Sequence, residues 1–265
     1  MGHYLDKEVF FVNELFYQMI FKRKSFHLFR NTGDEKISLS LLEDIKNQFK
    51  IFKRLDPEIK VDIKIVLPEE TTCKRGEEYC ILLYSEKKGI YLQNIGYIGE
   101  QLDLYLTSLN IGTLWYGFGK TNFMNYHNLD FVMMIAIKKV EESFFRKDMF
   151  KSKRKSLAEI WRGEYYLGIA NIVRFAPSSC NTQHWIVESI PNKLKVYRYK
   201  EPGKRGMMPL ERVTYSNRID IGIFLLFLEV CLKHENLSFK KEVFLDTSND
   251  DEVKTLVAIY NLRGE

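Results

Sequence analysis

The sequence predicts an α+β chain built from two tandem units, 1–145 and 146–265, and three observations lead there. Segments with apolar residues at helical spacing alternate with short strand-like runs. The order of these segments in the first half recurs in the second. Short local matches recur in that same order: KRKSFHLF (22–29) with KRKSLAEI (153–160), IGEQLDLYL (98–106) with IGIFLLFLE (221–229), and FVMMIAI (131–137) with TLVAIYN (255–261), at offsets of 131, 123 and 124 residues. A repeat of about 125 residues is far longer than a solenoid unit. It fits a unit that would otherwise dimerise, fused into one chain as a pseudo-two-fold.

The elements follow in order. A first helix is expected over about 5–22, with Val9, Val12, Phe16, Met19 and Ile20 on one face. A second starts at Ser40, whose Ser-x-x-Glu spacing to Glu43 is a capping box, with Leu41, Leu42, Ile45, Phe49 and Phe52 as its apolar face. VDIKIVL (61–67) and YCILLYS (79–85) are strands separated by a turn segment containing Gly76. Tyr91 to Leu109 is helical and stops at Asn110-Ile111-Gly112, and FVMMIAIKK (131–139) is a buried strand. The charged run EESFFRKDMFKSKRKS connects the halves. A helix over about 156–174 follows, then a hairpin of WIVESI and LKVYRYK around Pro191-Asn192, a helix over 217–235, and a closing strand TLVAIYNL (255–262).

Composition narrows the function classes. With 265 residues, 45% hydrophobic and 14% aromatic, the chain can bury a sizeable core. A net charge of +5, from 40 basic against 35 acidic residues, is mild and interleaved, which describes a solvated surface and no nucleic-acid face. Cys73, Cys80, Cys180 and Cys231 have no metal-finger spacing and follow no secretory signal, as expected of free thiols in a reducing cytoplasm. The five His have no ligand spacing either, so no metal site is expected. The longest apolar run, Ile219 to Leu232, is interrupted by Asp220 and Glu229; it is a buried helix and spans no membrane.

Four motifs carry chemistry. FAPSSCNTQHW (175–185) has much uncharged hydrogen-bonding capacity and no charged residue in a Lys-rich chain. Pro177 and Ser178 can fix a turn, and Asn181 supplies a donor and an acceptor. RKSFHLF (23–29) offers the Arg23 fork and the Ser25 hydroxyl to a phosphate, or its cations simply neutralise a helix C-terminus. IGTLWYGF (111–118) follows the central helix. KRKSLAEI holds Arg154 beside the capping box Ser156-x-x-Glu159. Trp185 suits a packing anchor, and Cys180 has no His–Asp pair placed to activate it.

Together these motifs resemble the nitroreductase family of flavin enzymes, in a single-chain tandem-repeat form. They resemble its Pro-Ser-x-x-Asn-x-Gln-Pro-Trp segment, its N-terminal Arg-x-Ser-x-(Arg/Lys)-x-Phe motif, its Gly-Leu-Gly-Thr-x-Trp segment and its basic tail, in the right order across both halves. The resemblance implies a nitroreductase-like fold with mainly antiparallel sheets flanked by helices. It implies one FMN held by Arg23, Lys24, Ser25, His27, Trp115, Tyr116, Gly117, Arg154, Pro177, Ser178, Ser179 and Asn181, with the flavin doing the redox chemistry and no protein general acid. Backbone N–H groups of the 115–117 stretch would face the hydride-accepting nitrogen. The family's Arg or Lys is replaced by His27 and its Pro by His184.

The implied activity is NAD(P)H-dependent reduction of a nitroaromatic, quinone or enone-like acceptor. Alternatives are an FMN-binding protein without efficient turnover, a flavin-splitting or dehalogenating relative, and a basic binding module for an acidic partner or nucleic acid. The family's Arg-x-Ser and Pro-Ser motifs come from different subunits of a dimer, and here the Pro-Ser segment occurs only in the second half. One site per chain and a monomer are therefore expected.

Overall fold

A computed structural model describes residues 13–200, 206–246 and 253–263. Its contacts divide the chain into two units. One is Gln18–Met149; the other is Phe150–Glu265 joined by the described residues up to Tyr17. Of the helix expected over 5–22, α1 is described as helical over 13–22, and the part before residue 13 lies outside the described residues. Its start groups with the second half through Glu14, whose carboxylate pairs with His234 at 2.9 Å, and Tyr17, which stacks on the same ring at 3.5 Å.

In Gln18–Met149, helix α2 (Leu39–Ile51) leads to the hairpin β1 (Val61–Val66) and β2 (Tyr79–Ser85). Helix α3 (Tyr91–Ser108), strand β3 (Ile111–Trp115), the two-residue β4 (Asn125–Tyr126) and β5 (Leu129–Lys139) complete the unit. The sheet order is β1-β2-β5-β3, all antiparallel, with β4 paired to β5. YCILLYS is almost wholly apolar because β2 is an interior strand: Cys80 to Ser85 are all buried. The cap of α2 differs from expectation. Ser38, not Ser40, is the N-cap and accepts from Leu41 N–H at 3.2 Å, while Glu43 accepts from Lys46. The helix begins one turn-position earlier because Leu39 already has helical geometry, so Ser40 lies inside it.

The other unit repeats the plan. Short helix α4 (Leu157–Ile160), β6 (Trp161–Arg162) and α5 (Leu167–Val173) precede the hairpin β7 (Trp185–Ile190) and β8 (Lys193–Tyr199). Helix α6 (Leu210–His234), β9 (Ser238–Val243) and β10 (Lys254–Arg263) follow. The order β7-β8-β10-β9 matches β1-β2-β5-β3 strand for strand, with β6 added in parallel beside β7. In each unit a hairpin is followed by a long buried helix, an edge strand, and a return strand between that edge and the hairpin.

Several polar residues inside the long helices find partners, whereas both side-chain atoms of the buried Asn217 on α6, and Asn94 Nδ2 on α3, make no hydrogen bond among the described residues. On α3, Asn94 Oδ1 accepts from the N–H groups of Leu55 and Asp56 at 2.8 and 3.1 Å. Gln101 exchanges bonds with the Lys53 backbone. On α6, the Glu229 carboxylate accepts from Tyr260 Oη at 2.9 Å and Lys241 Nζ at 2.8 Å. A buried polar group without such partners costs about 1–3 kcal/mol.

Three expectations change. The helix expected over 156–174 is broken: Trp161 and Arg162 pair with Val187 and Glu188, Gly163 turns at φ +98°, and Tyr166 is left-handed. Helix α6 starts at Leu210, seven residues before the expected 217, because Pro209 occupies its N-cap and Val213 and Thr214 are already buried. Strand β9 was not anticipated; SFKKEV is an edge strand whose exposure alternates, with Lys residues that discourage further pairing.

Gly163 is the sharpest constraint in this region. A Cβ there would lie 2.1 Å from Ser189 O, on a backbone that side chains rarely adopt. Gly163→Ala is expected to destabilise by about 2–4 kcal/mol, read from denaturant unfolding. A loss within about 0.5 kcal/mol, typical of a neutral surface site, would show that this break does not constrain the fold.

Candidate functional site

The residues expected at the site fall in two groups, one in each unit. In Gln18–Met149 the chain leaves α1 and runs along the free edge of β3. Ser25 bridges Thr113 in parallel, and Phe26 N–H donates to Thr113 O at 2.9 Å. Phe26 and Phe29 anchor this segment in the core, stacked at 5.7 Å, and Phe29 N–H donates to Arg75 O at 2.8 Å. Lys24, Ser25 and His27 stay toward solvent: Lys24 and His27 are exposed and Ser25 is half-buried. Lys24 Nζ donates to Phe144 O at 3.0 Å.

Arg23 is placed differently from expectation. Its side chain is 4% exposed. Its Nε donates to Asp103 Oδ2 at 2.8 Å, Nη2 lies 2.8 Å from the same oxygen, and Glu100 Oε1 is 3.1 Å from Nε. The fork is therefore taken up by two carboxylates of α3 and is not offered outward to a phosphate. Burial pushes the Glu100 carboxyl well above the usual carboxylate range, only partly countered by the Arg23 charge, and Asp103 raises it further.

Asp103 is the hub of this group. Besides Arg23, it accepts from Thr113 Oγ1 at 2.6 Å and from the Trp115 indole N–H at 2.9 Å. Trp115 lies on α3 over Gly99, where a Cβ would come within 2.6 Å of the ring. Tyr116 N–H donates to Met134 O at 2.8 Å, so it continues the sheet and does not face a ligand as expected. Gly117 is exposed, with open space at its α-carbon.

The second group lies in Phe150–Glu265 and is tightly cross-bonded. After α5, Pro177 and Ser178 lead into one short turn, Ser179–Asn181, in which Cys180 and Asn181 are left-handed at φ 51° and 56°. Ser178 Oγ accepts from Gln183 N–H at 3.0 Å, and Thr182 Oγ1 donates to Ser179 O at 2.7 Å. Arg154 Nη1 donates to Asn181 Oδ1 at 2.8 Å and Nη2 to Phe175 O at 3.3 Å. Asn181 Nδ2 returns a bond to Lys153 O at 3.2 Å, and Gln183 Oε1 accepts from Lys155 N–H at 2.9 Å. The basic tail and the uncharged turn are thus one structure. Ser156 N–H and Oγ both donate to Glu159, so the capping box forms beside them. Trp185 is fully buried and stacks on Phe224 at 4.9 Å, the anchor expected of it.

Asp220 was missed as a site residue. From α6 its carboxylate accepts from Ser179 N–H at 3.0 and 3.1 Å and from Ser179 Oγ at 3.1 Å. Burial raises its carboxyl to about 7, against the opposing pull of the Ser179 backbone and side-chain bonds. A signal was present, since Asp220 interrupts an otherwise apolar helix run.

Comparison with known proteins decides the family. The family model described as "Putative TM nitroreductase" matches residues 15–231. The chain belongs to this nitroreductase family. The crystal structure of a protein described as a putative nitroreductase, from Thermotoga maritima MSB8, is similar at a TM-score of 0.60 and 17% identity, covering 93% of each chain. That likeness supports the nitroreductase-type α+β fold. Nitroreductase family proteins from Clostridium novyi NT and Clostridium difficile 630 align at 19% and 13% identity, with TM-scores of 0.37 and 0.42. They cover 48% and 57% of this chain, and 86% and 97% of their own. A comparison with curated proteins finds no match. Among the described residues no helix is long and apolar enough to cross a membrane.

Proposed function

We propose that this nitroreductase-family chain is an FMN-dependent oxidoreductase that takes reducing equivalents from NAD(P)H and reduces a small nitroaromatic, quinone or enone-like acceptor. The observation that carries the reading is the bond between Arg154 and Asn181, which joins the basic tail to the Pro-Ser turn. Both residues were expected to hold the cofactor, and their contact sets a cation beside neutral donors and acceptors. That donor set fits the polar edge of a flavin, where a bare charge under the ring would be costly to desolvate. When bound, FMN would supply the hydride and electron chemistry.

The chain's own residues would hold and orient it. Pro177, Ser178, Ser179 and Asn181 form a turn already fixed by Asp220 and Arg154, so little ordering would be lost on binding. Lys24, Ser25 and His27 supply a cation, a hydroxyl and an imidazole toward solvent, the chemistry a phosphate monoester needs. Arg23 enters the reading as a positioning residue, which fixes this segment through Asp103. Trp115, Tyr116 and Gly117 are proposed beside the flavin through the surface of their stretch, led by the open Gly117.

Titration of the purified protein with FMN, followed by flavin fluorescence, tests the reading. Arg154→Ala and Asn181→Ala are each expected to weaken binding by roughly tenfold or more, the loss of one charge-assisted hydrogen bond. Ser25→Ala is expected to weaken it less. Anaerobic NADH or NADPH should bleach the bound flavin. A protein that takes up no FMN would sink the proposal, and one that binds FMN without bleaching would be a flavin-binding protein without turnover.

A further inference from the structure

The connection between β1 and β2 carries a group of side chains that the flavin reading does not use. Cys73, Glu77 and Cys80 are all buried, and their Sγ and carboxylate atoms lie within 4.8 Å of one another. Cys80 Sγ is 3.9 Å from Glu77 Oε1 and 3.6 Å from the hydroxyl of Thr71. The other Glu77 oxygen accepts from Arg75 N–H at 2.7 Å, which fixes the carboxylate's direction. Cys73 N–H donates to Thr71 Oγ1 at 3.1 Å, which holds the hydroxyl in the same place. Around them stand Phe29, Val66, Leu82 and Ala136, so the surroundings are apolar.

We propose that Cys73, Cys80 and Glu77 bind one thiophilic divalent cation, zinc by its chemistry, with the Thr71 hydroxyl beside the fourth position. The first argument is charge. Glu77 is a carboxylate only 8% exposed that makes no ion pair among the described residues, and burying a charge without a counter-charge is expensive. A dication supplies that counter-charge. The second is ligand type: two thiols and a carboxylate within one small volume match the soft and borderline donors that zinc takes. The third is distance. Two sulfurs bound at about 2.3 Å stand no more than about 4.6 Å apart, so the observed cluster needs only a small contraction. Binding would replace the two thiol protons with Zn–S bonds and release both protons to solvent, leaving Zn(SR)2(carboxylate) with one net negative charge.

The site would be structural, because its ligands are buried and come from one loop and the start of β2. It would staple the turn segment whose Arg75 carbonyl receives Phe29 N–H, and so hold the 23–29 segment from behind. No finger-type spacing marks it. The two Cys are separated by six residues, and the third ligand is a Glu that lies between them in the sequence, four positions after Cys73 and three before Cys80.

Cobalt is the probe. Reduced, metal-stripped protein titrated with Co2+ is expected to develop a near-ultraviolet thiolate-to-cobalt band that saturates at one ion per chain and is displaced by zinc. Cys73→Ser or Cys80→Ser should abolish the band, Glu77→Gln should weaken cobalt binding by roughly tenfold or more, and Cys180→Ser should leave it intact. Should the Cys variants not fold, the wild-type band and the Glu77→Gln affinity still decide. No thiolate band in the reduced wild type, or a band unchanged by Glu77→Gln, overturns the proposal. So does a thiol count in denaturant of two rather than four in freshly isolated, metal-free protein, which would show a Cys73–Cys80 disulfide instead.

Discussion

Replacing Asp103 with Ala is expected to cost about 3–5 kcal/mol, the range for leaving one partner of a buried ion pair uncompensated. The change removes the acceptor for Arg23, Thr113 and Trp115 together, and Arg23 is left buried with only the Glu100 carboxyl nearby. Urea unfolding followed by tryptophan fluorescence measures the loss. Asp103→Asn should fall between wild type and Ala, because it keeps one oxygen acceptor and loses the charge. The pair is best isolated by a double-mutant cycle. Arg23→Met with Asp103→Leu should lose much less than the two single changes summed, since the orphaned charge is then absent. A loss under about 1 kcal/mol for Asp103→Ala would place this hub among exposed ion pairs in energetic terms. FMN affinity gives a second readout: if Arg23 acts only by positioning, Arg23→Lys should keep more of the affinity than Arg23→Met, and neither should lose as much affinity as Arg154→Ala.

Asp220 should make stability depend on pH, and the sign is set by its raised carboxyl. An unfolded Asp ionises near pH 3.9, whereas the folded one keeps its proton to about 7. Between those values the folded state holds more protons than the unfolded state, so its stability falls as pH rises through that window and levels off above it. Below about pH 4 both states are protonated and the group contributes no slope. The full effect is on the order of 4 kcal/mol by the usual conversion of a shift this large. Asp220→Asn lacks the titration, so the stability difference between wild type and variant should change steadily from pH 4 to 7. A difference constant across that range would show that Asp220 ionises normally, its three Ser179 bonds outweighing burial. Ser179 is the group to watch, because its backbone N–H is held by this carboxylate and leads the proposed flavin turn.

These two carboxylates also mark the limit of what residue patterns reveal. Asp103 sits on a helix whose apolar spacing was legible, but nothing local says that it faces Arg23, eighty positions away. Arg23 reads equally well as a phosphate fork when its partners are unknown. Asp220 was visible as an interruption of an apolar run and suggested only that the helix is not a membrane span. In both cases the decisive fact is a long-range hydrogen bond. The opposite holds for Ser156 and Glu159, whose capping box is a local pattern and forms as read. Ser40 and Glu43 follow the same pattern and do not form one, since Ser38 competes for the same end of the helix.

Periodicity and segment order alone determined the α+β character, the strands expected at 61–67, 79–85, 131–139 and 255–262, and the long helices of each half, because side-chain spacing records which face is buried. The motif order pointed to the nitroreductase family for a related reason: a turn's Pro, Ser and Asn are residue types that local backbone geometry itself selects. Tertiary structure decided the rest. It set the common strand order of the two sheets, the break at Gly163, and the turning of Arg23 inward. It also brought Arg154 to Asn181. Each of these depends on which distant segment lies alongside, and a sequence read locally carries no distance between its parts.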